Sequence, residues 1–146
     1  LKLLCQEILD NLKYLEDYNK IIIDLNEFEQ DNIQQDKVRL KIILSNLISN
    51  AIKVQKRTPG HQPVLKISTK RQSSKTFIRI EDNGEGILPD LSPKIFDMFY
   101  RASDKASGSG LGLYIARESA NKIGARISHE SEYGKGSVFT VEVPEI

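Results

Sequence analysis

The sequence predicts an α+β domain built as a two-layer sandwich, with helices packed on one face of a mixed, mostly antiparallel sheet. Two observations carry this expectation. Elements read in the order α, β, α, β, β, α, β, β, and four of the strands form adjacent pairs with short links. The helical segments repeat apolar residues at three- and four-residue spacing, so each has one face to bury. At 146 residues the chain suits one domain with a single core.

Leu4, Ile8, Leu12 and Leu15 predict an amphipathic helix over residues 1–17. The β-branched run NKIIIDLNE predicts a strand over 19–27. Asp36 is placed to cap a second helix over 37–55. Two prolines and a glycine make RTPGHQP, 57–63, a loop. Strands are predicted over 64–70 and 76–82, joined by RQSS. The glycine loop NGEGILPDLSP leads into a short helix around KIFDMF. Ala102 to Ser109 is small and polar, which predicts a mobile segment. A helix from 110 to about 122 ends at Gly124 as its C-terminal cap. Two last strands, 125–131 and 137–144, are joined by the hairpin signal EYGKG.

Composition removes several classes of function. With 21 Lys and Arg against 20 Asp and Glu, the net charge of +1 gives no global field for nucleic acid or an anionic membrane. The single cysteine, Cys5, excludes an internal disulfide and a zinc cluster of Cys ligands, and is expected to be a buried, inert thiol. No apolar run approaches the ~20 residues needed to cross a bilayer, and no signal peptide is read. The chain opens at Leu1 in helical character, so it is expected to be a piece of a longer protein, located in the cytosol.

Chemistry concentrates in three places. On helix 37–55, Leu40, Leu44, Leu47, Ile48 and Ala51 share one side, while Asn46, Asn50 and Lys53 form a narrow stripe opposite. A solvated polar face is one reading. Asn is a poor helix former, however, and an amide oxygen is a hard, neutral ligand suited to Mg²⁺ on a phosphate. In IEDNGEGILP, 80–89, Asp82 closes a strand and could accept from an exocyclic amine, with Gly84 and Gly86 allowing close approach to a flat ligand; DNG is also a common turn. The third place is KASGSGLGLYIARESA, 105–120. A linker would sustain its Gly and Ser, and a dinucleotide turn would follow a strand with a different glycine spacing. A phosphate-closing loop survives, because Gly110, Leu111 and Gly112 sit at a helix N-terminus, where N–H groups and the dipole favour an anion. Between the last two lies KIFDMFYR, whose Phe96, Phe99 and Tyr100 are candidates for the core and whose Arg101 is either a surface charge or a phosphate-binding guanidinium.

In this order the motifs resemble the catalytic, ATP-binding domain of two-component sensor histidine kinases, within a superfamily that includes DNA gyrase, MutL and a heat-shock chaperone. NLISNAIK looks like the N box, DNGEGI like the first glycine box, IFDMFYR like the F box and GSGLGL like the second glycine box; GKGSVFTVEVP resembles the terminal strand signature. The resemblance implies a Bergerat-type ATP-binding fold spanning residues 1–146. It implies that Asn50 holds Mg²⁺ and that Asn46 and Lys53 contact phosphate or metal-bound water. Asp82 would accept from the adenine amino group, with Gly84, Gly86, Ile87 and Tyr100 around the base. Arg101 would reach the phosphates, 102–109 would form the ATP lid, and the backbone of Gly110, Leu111 and Gly112 would sit at its phosphate end. Implied partners are the phosphoacceptor His helix of the parent kinase and a downstream response regulator, with no nucleic acid and no direct membrane contact.

Asn46 stands where the hydrolysing branches carry a glutamate base, and it has no useful basicity. That favours transfer to another nucleophile over hydrolysis. Val54 stands where the family often has an aromatic residue. The two histidines, His61 in a loop and His129 in a strand, lack the helical context of a phosphoacceptor, so the chain is expected to hold the donor half of the reaction, as a monomer. The parent is expected to be cytoplasmic or the cytoplasmic part of a membrane-bound receptor. A serine kinase of the anti-sigma type and an ATP-binding docking or sensing module are the rival readings.

Overall fold

A computed structural model of the chain describes residues 1–98, 100 and 110–146. Its elements are α1 (Lys2–Asn11), β1 (Ile22–Phe28), α2 (Lys37–Lys53), β2 (Val64–Gln72), β3 (Lys75–Asp82), α3 (Gly112–Lys122), β4 (Arg126–Glu132) and β5 (Gly136–Pro144). The five strands form one sheet in the order β1-β2-β3-β5-β4. β1 runs parallel to β2 and every other pair is antiparallel. The predicted α+β class, mixed sheet and one-sided helix layer therefore hold.

Strand alternation decides which face takes the helices. Leu65, Ile67, Ile78, Ile80, Phe139, Val141 and Val143 point to one face and are buried. There they meet Leu4, Cys5 and Ile8 of α1, Leu40 to Ile52 of α2, and Ala116 and Ala120 of α3 in one core. The thiol of Cys5 is fully buried, and desolvation pushes it up to about 12, so it is inert as expected. The predicted apolar side of α2 is buried throughout, and Ile43 and Ile52 widen it. That breadth follows from its position, since α2 packs against α1 and α3 as well as the sheet.

Several boundaries moved, among them β1, which begins at Ile22 rather than 19, and α2, which ends at Lys53 rather than 55. The first helix stops at Asn11 rather than 17; Leu12 and Leu15 still pack against the core from turns, and a short 3₁₀ segment, Tyr18–Lys20, precedes β1. Arg71 and Gln72 belong to β2, because Gln72 pairs with Lys75 and leaves only a two-residue link. The short helix lies earlier than KIFDMF: Pro89–Lys94 is 3₁₀, and Ile95–Met98 is turn. Proline fits a first helical turn but lacks the N–H to continue one, which sets that segment's place. The helix predicted from 110 begins at Gly112.

The caps agree with the sequence. The Asp36 carboxylate accepts from Arg39 N–H at 3.1 Å, at the start of α2. After α3, Ala125 N–H donates to Ala120 O and Gly124 N–H to Asn121 O, with Gly124 at φ 68°.

The β4–β5 turn seats against the end of β3. A Cβ on Gly136, at φ 135°, would lie 2.0 Å from the Asp82 carbonyl oxygen. Gly124 is the contrast, because its added Cβ would meet only Pro144 Cγ at 3.7 Å. In urea denaturation Gly124→Ala should cost about 1–2 kcal/mol, the left-handed backbone penalty alone. Gly136→Ala should cost clearly more, because backbone must move. Equal costs would show that the turn does not press on β3.

Candidate active site

Helix α2 is the spine of the site. Asn46, Asn50 and Lys53 are all half-buried on it, at the spacing that stacks one helix face. The stripe is partly covered rather than fully exposed. A Cβ on Gly112, the first residue of α3, would lie 3.3 Å from Asn46 Oδ1. Asn46 Nδ2 donates back to Ile42 O at 2.8 Å, which turns the amide oxygen toward that glycine. Gly110 and Leu111 precede α3 directly; Gly110 takes φ 78°, and Leu111 provides no side-chain cap. The first helical bond runs from Ile115 N–H to Leu111 O, so the N–H groups of residues 112–114 have no partner within the helix.

At the other end of α2 the chain meets the glycine loop. Val54 O accepts from Glu85 N–H at 3.1 Å, and a Cβ on Gly84 would lie 2.3 Å from the same oxygen. Gly86 is hemmed in from the other side, where an added Cβ would lie 2.2 Å from Glu132 O. The loop is thus held between the end of α2 and the β4–β5 turn by backbone contacts that leave no room for side chains. Gly134 N–H donates to Glu85 O at 2.7 Å, and the Lys56 ammonium donates to Gly134 O.

Asp82 ends β3 inside this arrangement and is only 7% exposed. Its Oδ1 accepts from Gly84 N–H at 2.9 Å, while Oδ2 is buried with no partner among the described residues. Burial pushes the carboxyl up to about 6, partly opposed by the N–H groups of Gly84 and Ser137. An unmatched buried acceptor is costly and asks for a donor.

Asp82 and Asn46 therefore mark the two ends of one strip along α2. Eight residues separate Val54, beside Gly84, from Asn46, beside Gly112, which is about 12 Å of helix. Ile87 and Tyr100 are half-buried against the core, Ile87 from the loop and Tyr100 after the Ile95–Met98 turn. Phe96, an aromatic candidate for the core, packs edge-on to Phe139 at 6.2 Å between ring centres, and the Arg117 guanidinium lies 5.8 Å above it. Phe99, Arg101 and the expected lid, 102–109, lie outside the described residues. Among the described residues no three His, Cys, Asp or Glu side chains form a metal-binding group.

The histidines do as expected. His129 is half-buried on β4 with its ring 4.7 Å from that of Phe139, and burial holds it below its ordinary value. Its Nδ1 lies 3.2 Å from Ser92 Oγ. His61 is a half-buried loop residue. A concavity of about 410 Å³ on the open sheet face is lined by Glu27, Glu29, Lys70, Phe77 and Arg79, with both signs of charge. It lies away from Asp82 and gathers no convergent polar set.

Sequence reading missed the hairpin's part in the site. Lys56, Ser131, Gly136 and Ser137 all hold the glycine loop or Asp82. The signal available was the inward alternation of Ile127, His129 and Ser131, but only the pairing of β5 with β3 shows what that face meets.

Comparison with known proteins agrees with this geometry. Residues 35–146 match the family model described as histidine kinase-, DNA gyrase B-, and HSP90-like ATPase. The chain is 40% identical over 126 residues to the signal transduction histidine-protein kinase AfsQ2 of Streptomyces coelicolor, covering 84% of this chain and 22% of that protein. It is 36% identical over 122 residues to the histidine protein kinase SaeS of Staphylococcus aureus, covering 81% of this chain and 34% of the relative. The chain thus spans about a fifth to a third of the length of these relatives. The nucleotide-free catalytic domain of histidine kinase ThkA superposes with a TM-score of 0.81 at 27% identity, covering 99% of this chain and 92% of that one. Full-length ShkA in complex with AMPPNP shares the fold, with a TM-score of 0.82 at 23% identity over 99% of this chain and 30% of its own. The chain belongs to the histidine kinase-, DNA gyrase B- and HSP90-like ATPase family, as a catalytic domain of the sensor histidine kinase kind.

Proposed function

We propose that this domain binds ATP with Mg²⁺ and donates the γ-phosphoryl group to a histidine on a separate dimerising helical segment, for relay to a response regulator. The observation that carries the reading is the pairing of Asp82, a buried carboxylate with one oxygen unmatched among the described residues, with the N-terminus of α3, which lies beside Asn46 further along α2. The first suits the amino group of adenine, and the second suits a phosphate. The strip of α2 between them has about the length of an extended nucleotide.

In this reading Asp82 Oδ2 accepts from the adenine amino group, and Gly84, Gly86 and Ile87 bring backbone close to the ring. Tyr100 lies beside the base region. Asn50 supplies an amide oxygen for Mg²⁺, and Lys53 supplies an ammonium for the phosphates. The ion, when bound, neutralises phosphate charge and fixes its geometry. The N–H groups after Leu111 hold the phosphate end, with Asn46 beside them. Asn46 cannot deprotonate water, so the site keeps ATP for another nucleophile. That nucleophile is a histidine nitrogen: the new N–P bond forms as the bond to the β–γ bridging oxygen breaks, and ADP leaves with the electron pair. The imidazole proton goes to a base outside this chain, an acidic neighbour of the acceptor. Catalysis here is positioning and charge neutralisation.

No described helix is long and apolar enough to cross a membrane. We place the domain in the cytoplasm, as a monomer when alone, within a longer kinase.

Three outcomes test the reading. Calorimetric titration with a non-hydrolysable ATP analogue should show Mg²⁺-strengthened binding that Asn50→Ala abolishes. Asp82→Ala should lose the preference for ATP over GTP; if both variants bind like the parent, the site is misassigned. The pH dependence is set by Asp82. Its carboxyl sits at about 6 without ligand, and accepting from adenine favours the charged form. Affinity should therefore hold above that pH and fall by about tenfold per unit below it. Adenosine, followed by NMR, isolates this effect from phosphate titration, and Asp82→Ala should remove the slope.

A further inference from the structure

We infer that Ser131 is a positioning residue of the nucleotide site, acting through the backbone of Ile87 rather than by touching the ligand. The inference rests on the ATP reading above for its functional consequence, but its structural content stands on this chain's own contacts.

Ser131 lies on the inner face of β4, opposite Ser137 of β5, which in turn lies opposite Asp82 of β3. Three polar side chains thus stand in one row across three strands. Ser131 Oγ accepts from Ile87 N–H at 2.7 Å and donates to Gly136 O at 3.1 Å. Ser137 Oγ is 3.0 Å away. With the Ser131 proton spent on Gly136, the Ser137 hydroxyl donates to Ser131. One half-buried hydroxyl therefore uses its single proton and accepts twice.

The Ile87 N–H lies just after the two crowded glycines, and its partner Ser131 is 44 residues away in sequence. The ties upstream on the loop act at Asn83, through Val64 and Gln62, at Gly84, through Asp82 Oδ1, and at Glu85, through Val54 O and Gly134 N–H. Ser131 is the tie at the loop's exit, and it binds that exit to the same strands that hold the Asp82 carboxylate. Without it, Ile87 N–H would be an unsatisfied donor against the core, and the loop would shift to find water. Because Asp82 and Ile87 bracket the base region, such a shift changes the distance between them. Ser131 thus sets the width of the base pocket.

The test compares Ser131→Ala with Ser131→Thr, which restores the hydroxyl in a strand-compatible residue. Three quantities are read: Kd for the ATP analogue and for GTP, amide hydrogen exchange at Ile87, and the urea midpoint. The expected result is about tenfold weaker ATP binding in Ser131→Ala, a smaller ATP-over-GTP ratio, faster Ile87 exchange, and recovery of all three in Ser131→Thr. Parent-like affinity and Ile87 exchange in Ser131→Ala would overturn the inference. So would equal losses in both variants that track a lowered urea midpoint, since the hydroxyl would then be serving stability alone. If the parent itself binds no ATP, the ATP reading fails, and Ile87 exchange decides the role of Ser131 by itself: loss of protection in Ser131→Ala with recovery in Ser131→Thr supports the tie, and unchanged exchange removes it.

Discussion

A carboxylate buried to 7% exposure, with one oxygen unmatched among the described residues, is the constraint around which this domain is arranged. Left alone, Asp82 opposes folding at neutral pH: burial raises its pKa to about 6, so the charged form is the disfavoured one in the native state. Its environment limits that cost without removing it. The N–H groups of Gly84 and Ser137 serve the carboxylate, and backbone from α2, the glycine loop and the β4–β5 turn closes around it. A group kept under such strain is characteristic of a site in which a ligand supplies the missing donor.

Holding the carboxylate there dictates glycine at three places. Gly84 presses on Val54 O, Gly86 on Glu132 O and Gly136 on Asp82 O, each closer than a Cβ permits. These approaches connect three elements remote in sequence, so this end of the candidate site is held by backbone meeting backbone. The other end of the candidate site is built differently. There the N-terminus of α3, preceded by Gly110 and Leu111, faces an amide that is itself tied to its own helix through Ile42. Helix α2 joins the two ends and owes its position to a broad apolar face buried against sheet, α1 and α3.

Much of this is legible in the sequence. Apolar spacing locates α2 and α3, the links RQSS and EYGKG mark the strand pairs β2–β3 and β4–β5, and the caps at Asp36 and Gly124 follow from side-chain and backbone chemistry that acts over a few residues. Errors fell where short-range signals are weak. Leu12 and Leu15 continue a helical spacing into turns, because apolar contact with the core can be made from either conformation. Apolar KIFDMF looked helical, yet the prolines at 89 and 93 draw the 3₁₀ turn earlier. Among the site residues, Asn46, Asn50, Lys53, Asp82 and the glycines stand out by residue type and spacing. Ser131 and Lys56 do not, since a serine in a strand and a lysine after a helix are ordinary until their partners are known.

By itself the sequence determined the α+β class, the polar stripe on α2, the carboxylate at the end of β3, the glycine-led start of α3, and the family those motifs belong to. All of these are local: they follow from φ and ψ preferences, side-chain period and the chemistry of neighbours in the chain. Tertiary structure alone decided that β5 lies between β3 and β4, that Ser131, Ser137 and Asp82 form one row, and that the glycine loop is gripped from two sides. Those facts depend on which strand edges meet, and β3 and β5, which pair, are separated by more than fifty residues. No local preference encodes that choice; it is made when the apolar faces of sheet and helices are buried together.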